Sequence, residues 1–220
     1  MQIARIIRPA ALTGVAVFMM VAGASAATIT FNTAQTGSGG TGFNGTGNLV
    51  LNSSSGVNAT LAFVPDMNSV NAVPGNVNFG NFTLSCATCS TQAGGLGAFF
   101  SGFTFDMVVT DVTDGATGVF VGTAAAGSVY LDASTLTLNW QPLQLGPGTS
   151  NATSGDFGPT YFQTVAQTKI VNPLSGAQIG STTVQGNINS SAIPEPATLS
   201  LVGGALLGFG LLRRKTGLSR

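Results

Sequence analysis

Cys86 and Cys89, set as Cys-Ala-Thr-Cys, are the only two cysteines. That spacing suits either a redox dithiol or a short structural disulfide. A reactive dithiol is placed at a helix N-terminus, which lowers the thiol pKa. Here the pair follows a strand-like run and precedes Ser90-Thr91-Gln92-Ala93-Gly94-Gly95, a loop. A disulfide pinning that loop is therefore the expectation, with the redox pair as the alternative. No second pair completes a zinc site. Asp111 and Asp114 bracket a turn, and Asp106 and Asp132 could approach them in a fold. Such oxygen ligands suit calcium, but neither EF-hand spacing nor a calcium-binding nonapeptide repeat is present. Asp111 and Asp114 thus stand as calcium candidates beside the plainer reading of Asp as a turn former. Gly37, Gly39 and Gly42 fit GxGxxG, yet Phe43-Asn44-Gly45-Thr46-Gly47 follows and cannot start the helix a dinucleotide needs.

The absences narrow the chemistry further. The chain has no His, which excludes Ser-His-Asp and Cys-His nucleophile systems and His-ligated zinc. No pair of carboxylates is singled out for glycoside hydrolysis. The expectation is a protein that is not an enzyme and takes no cofactor. Charged residues make up 6% of the 220, against about 25% in ordinary globular proteins. Seven Lys and Arg in all leave no basic surface for nucleic acid. Between residues 27 and 193 only Lys169 is basic, opposed by Asp66, Asp106, Asp111, Asp114, Asp132 and Asp156. The remaining basic residues lie at the two ends.

Those ends read as export signals. Arg5 and Arg8 precede an apolar run over residues 10–22, and Ala24-Ser25-Ala26 is a small-residue cleavage site. Residues 1–26 are thus expected to be a signal peptide, cut by signal peptidase before Ala27. Residues 197–212 carry no charge and are followed by Arg213, Arg214 and Lys215. A helix there reaches about 24 Å, which snorkelling and local thinning can fit to a bilayer. The basic cluster stays cytoplasmic by the positive-inside rule, so residues 27–193 face outward. An uncleaved N-terminal anchor and a buried C-terminal core helix are the respective alternatives.

Before this segment stands Ile193-Pro194-Glu195-Pro196-Ala197-Thr198-Leu199. With the apolar helix and basic tail, it resembles the PEP-CTERM sorting signal of Gram-negative bacteria. The resemblance covers about the last thirty residues. It implies cutting by an exosortase, with Pro194, Glu195 and Pro196 as recognition residues and transient residence in the inner membrane. It also implies a final place at the cell surface or outside the cell, in company with exopolysaccharide and biofilm. A structural or adhesive matrix role follows as an expectation; a carbohydrate-binding module and, behind it, a secreted enzyme are the alternatives.

The stretch between the signals must then be the exported domain, over residues 27–188, with 189–193 as a tether. Ser, Thr, Asn and Gly supply 79 of the 167 residues from 27 to 193, poor helix material. Apolar residues recur with period two. Leu136, Leu138 and Trp140 share one phase, as do Val57, Ala59, Leu61 and Phe63. Residues 99–109 read as one central strand covered on both faces. Val77 and Phe79 are out of phase with Phe82 and Leu84, which marks a β-bulge at Gly80-Asn81. Further strands are expected at 27–32, 118–123, 128–131, 160–171 and 179–188, and residues 36–48 read as a flexible loop. Turn signals stand at Asp114-Gly115, Pro74-Gly75 and Gly146-Pro147-Gly148. The expected fold is all-β: an antiparallel β-sandwich or jelly-roll-like domain, flanked by an N-terminal signal helix and a C-terminal transmembrane helix. Trp140 is expected in the core and not as a sugar-stacking platform. Six Asn-x-Ser/Thr sequons (at Asn44, Asn52, Asn58, Asn81, Asn151 and Asn189) follow from composition alone.

Overall fold

Apolar and polar residues alternate along most of the chain, and it folds accordingly as strands. The computed structural model describes residues 27–35, 48–52, 56–173, 179–191 and 203–206. The chain divides into two units, Ala26–Ile193 and Met1–Ser25 with Pro194–Arg220. In the second unit only residues 203–206 are described, as a helical turn. The expected signal peptide and the rest of the expected transmembrane helix lie outside the described residues. No helix among the described residues is long and apolar enough to cross a membrane.

The first unit is all-β and antiparallel, with strands numbered in chain order. One sheet runs β14 (Gln167–Lys169), β10 (Thr137–Gln141), β8 (Thr117–Ala124), β7 (Phe103–Asp111), β1 (Ala27–Gln35), β4 (Ser69–Val73), with β12 (Ala152–Ser154) also paired to β8. The other runs β11 (Gln144–Leu145), β13 (Thr160–Thr164), β15 (Gly180–Ser190), β5 (Gly75–Ser85), β3 (Asn58–Pro65), β2 (Asn48–Asn52). A separate ribbon pairs β6 (Ala98–Phe100) with β9 (Gly127–Val129). The chain passes repeatedly from one sheet to the other, and two such corners carry the cis peptides Val73–Pro74 and Gln141–Pro142.

The inward faces of the two sheets meet through aromatic rings. Phe31 and Phe120 of the first sheet contact Phe79 of the second at centroid distances of 5.7 and 5.9 Å. Phe31 also meets Phe162 at 5.6 Å. A second cluster joins Phe105 to Phe63 and Phe82, each at 4.9 Å. These tilted and edge-on pairs suit the ring quadrupole. Each fully buried Phe contributes about 1.5–3 kcal/mol from burial alone. Trp140 is 2% exposed, and its indole N–H donates to the Thr168 hydroxyl at 2.9 Å. The ring lies against Gly122, where a Cβ would stand 3.0 Å from it.

The period-two segments at 57–63 and 136–140 bury the expected faces. The bulge is present one residue early: Phe79 and Gly80 together oppose Val184, and both Phe79 and Gly80 are buried. Gly80 has φ +124, and a Cβ there would lie 2.7 Å from the Val64 carbonyl oxygen, so only glycine fits.

Two expected strands are each divided. Residues 99–109 break at Ser101-Gly102 into β6 and β7, because β6 leaves the main sheet to join β9. The phase shifts at the break, so Phe99 is 50% exposed while Phe103, Phe105, Met107 and Val109 are buried. The outer face of β7 is half-exposed rather than covered. Residues 160–171 divide between the sheets: Val165 N–H bonds to the Gln185 carbonyl of β15, and the Ala166 carbonyl accepts from Trp140 of β10. At the other end, β15 continues through Asn189 and Ser190, so the folded sheet takes in the first two residues expected in the tether. Asn48 belongs to β2; residues 36–47 lie outside the described residues.

Phe79 joins three rings from both sheets at 0% exposure. Replacing it with Ala should cost about 3–5 kcal/mol, read as a lower urea midpoint of the full chain.

Candidate functional site

The residues singled out from sequence fall in separate places. Ala27 opens β1, while Ala24, Ala26, Pro194, Glu195, Pro196, Arg213, Arg214 and Lys215 lie outside the described residues. The domain is hydrogen-bonded up to Ser191, whose N–H donates to the Pro159 carbonyl at 2.8 Å. Only residues 192 and 193 separate Ser191 from Pro194.

Cys86 and Cys89 are bonded, with Cα atoms 5.5 Å apart. Both are buried, at 1% and 8% exposure. The neighbouring 3-10 turn, Gln92–Gly94, is short and follows the pair. The loop beyond is tied down elsewhere: Leu131 N–H bonds to the Ser90 carbonyl, and the Asp132 carboxylate accepts from Gln92 N–H at 2.7 Å. The disulfide is therefore itself buried, while the tied-down loop that follows it is exposed.

Asp111 ends β7 on its inward face and is fully buried. Its Oδ1 accepts from the backbone N–H of Thr113 at 2.8 Å and of Asp114 at 3.3 Å, which shapes the turn into β8. Its Oδ2 has no partner. Burial pushes its pKa up, and the Asp114 charge adds to the rise against the two backbone hydrogen bonds. Asp106 lies on the opposite, outer face of β7, and burial raises its pKa too. Asp156 accepts from Gly158 N–H at 3.0 Å. Each of these acids except Asp106 has a backbone-capping bond or sits in a turn. Among the described residues, no three His, Cys, Asp or Glu are grouped to hold a metal ion. The fold thus brings Asp111 and Asp114 together but leaves Asp106 and Asp132 apart from them.

One concave feature of the described residues was not anticipated. A groove of about 490 Å³ crosses the outer face of β5, β15 and β13. Amides from Asn76, Asn78, Gln163, Gln185 and Asn187 line it, and no charged side chain does. Its signal in the sequence is the polar phase of three alternating strands. Nothing in the sequence says that these strands are neighbours, since β5 and β15 are about a hundred residues apart.

Comparison with known families decides the address. The model described as PEP-CTERM protein-sorting motif matches residues 192–215. The chain carries a PEP-CTERM sorting motif. The PEP-CTERM match covers the Pro-Glu-Pro run, the apolar segment and the basic cluster, and implies a protein processed by an exosortase-type enzyme and exported to the cell surface or beyond. Neither a characterised protein nor a solved structure matches the chain.

Two outcomes follow for the buried groups. The unfolded Asp111 carboxyl titrates near 3.8 and the folded one higher. Between those values the folded state holds a proton the unfolded state has lost, so stability falls as pH rises through this window. Asp111→Asn keeps the Oδ1 acceptor and removes the orphaned charge. It should melt above the wild type at pH 7, and the gap should shrink as the pH is lowered towards 4. Cys86→Ser with Cys89→Ser should cost about 2 kcal/mol in urea denaturation, as expected for so short a closed loop.

Proposed function

We propose that this protein is an exported, non-enzymatic component of an extracellular matrix, with a structural or adhesive role. The sorting motif at residues 192–215 carries this reading. Signal peptidase frees Ala27, the apolar segment at 197–212 holds the chain in the inner membrane, and an exosortase-type enzyme then cuts near Pro194, Glu195 and Pro196. The basic residues Arg213, Arg214 and Lys215 keep the tail cytoplasmic until cutting. Glu195 is a recognition group, and flanking prolines as a residue type favour the extended backbone that a processing enzyme grips.

The domain's chemistry supports the matrix role. Its surface is solvated by amides and hydroxyls, with Lys169 as the one basic residue from 27 to 193. Such a surface interacts with hydrated polymers through hydrogen bonds and stays little affected by salt. The groove across β5, β15 and β13 favours a second reading, in which the domain holds exopolysaccharide directly.

The wild type and Glu195→Ala should be produced in a host with the sorting system, and the product followed by mass and fractionation. The wild type should lose its C-terminal segment and reach the surface or the medium. Glu195→Ala should stay full-length in the membrane fraction. Two uncut, membrane-held products would instead make the C-terminus a plain anchor and remove the basis for the matrix role.

A further inference from the structure

We infer that the groove across β5, β15 and β13 is a binding site for a neutral polysaccharide chain, which its amides recognise through the sugar hydroxyls. The inference deepens the matrix reading and rests on it only for where the polymer comes from. The volume, about 490 Å³, lies in the usual range of about 300–1,000 Å³ for small-ligand sites. Five amides line it, and each offers a carbonyl acceptor and an NH₂ donor. A sugar hydroxyl is likewise both donor and acceptor, so amide and diol satisfy one another in pairs. An apolar ligand would leave these amides unpaired. A phosphate or uronate would find no cation, and a metal ion no carboxylate, since no charged side chain lines the groove.

A second observation points the same way. Among the described residues, the side-chain amides of Gln163, Gln185 and Asn76 make no hydrogen bond, whereas those of Asn78 and Asn187 each accept one. The floor depends on Gly186, opposite Thr164 in β13. A Cβ there would run into the Gln163 carbonyl and the Phe79 ring. The groove is half open and crosses three strands, so a polymer can pass through it without a free end.

The test uses the full chain in a sugar-free zwitterionic detergent, so it is independent of processing. Mobility is followed by native electrophoresis through gels with dextran, galactomannan, hydroxyethylcellulose or, as the anionic control, alginate. At least one neutral polymer should retard the wild type, and alginate should not. Gln185→Ala with Asn187→Ala should weaken the retardation about tenfold, as two lost hydrogen bonds predict. If the double variant melts below the wild type, Asn76→Ala at the exposed rim gives the same reading. Retardation by none of the neutral polymers, by alginate alone, or equally in wild type and variants would overturn the site. Correct sorting in the Glu195 experiment would be untouched by any of these results.

Discussion

Phe79 receives Phe31 and Phe120 from the opposite sheet and Phe162 from its own, at centroid distances of 5.7, 5.9 and 6.4 Å. In a chain with 6% charged residues this inter-sheet packing has little electrostatic help. The surface is held in water by amides and hydroxyls, which stabilise the fold only weakly by themselves. Dry contact between the two sheets therefore has to supply most of the stability. Other features follow from keeping that contact intact. The bulge at Phe79-Gly80 restores the inward phase for Phe82 and Leu84, and Gly122 lets the Trp140 ring lie flat against its strand.

Strands with one buried and one wet face were readable residue by residue. Leu136, Leu138 and Trp140 are inward as their phase says, and the slip between Phe79 and Phe82 marks a bulge. Strands without that contrast were not readable. β4 is Ser-Val-Asn-Ala-Val with no fully buried residue, and its apolar Val70 and Ala72 are the exposed ones, so no apolar alternation marks an inward face. β11 has only two residues, and its pairing with β13 decides its existence. The division of 160–171 was hidden for another reason. Thr160, Phe162, Thr164, Thr168 and Ile170 all keep an even phase and are all buried. An unbroken phase does not reveal that the chain has changed sheets.

The candidate site residues divide along the same line. The sorting motif is contiguous, so its Pro-Glu-Pro run, apolar segment and basic cluster were legible in order. The groove is assembled from strands far apart in sequence, and its Asn and Gln residues look like ordinary outward positions until β5, β15 and β13 are set side by side. Asp111 shows the opposite trap. Its place beside a turn suggested a ligand, while its inward phase on β7 was the better guide to its burial.

The position of β15 governs how the domain answers to mechanical load. It is the longest route into the C-terminal end, an eleven-residue strand flanked on both sides by antiparallel partners, β13 and β5. Backbone hydrogen bonds of such pairs lie across the strand axis. A pull on the C-terminal end is directed along that axis and loads those bonds together, in shear. Peeling, in which they break one after another, needs a pull from the side. A domain tethered through this strand to a surface, or to a fibre, is thus built to hold its shape under drag.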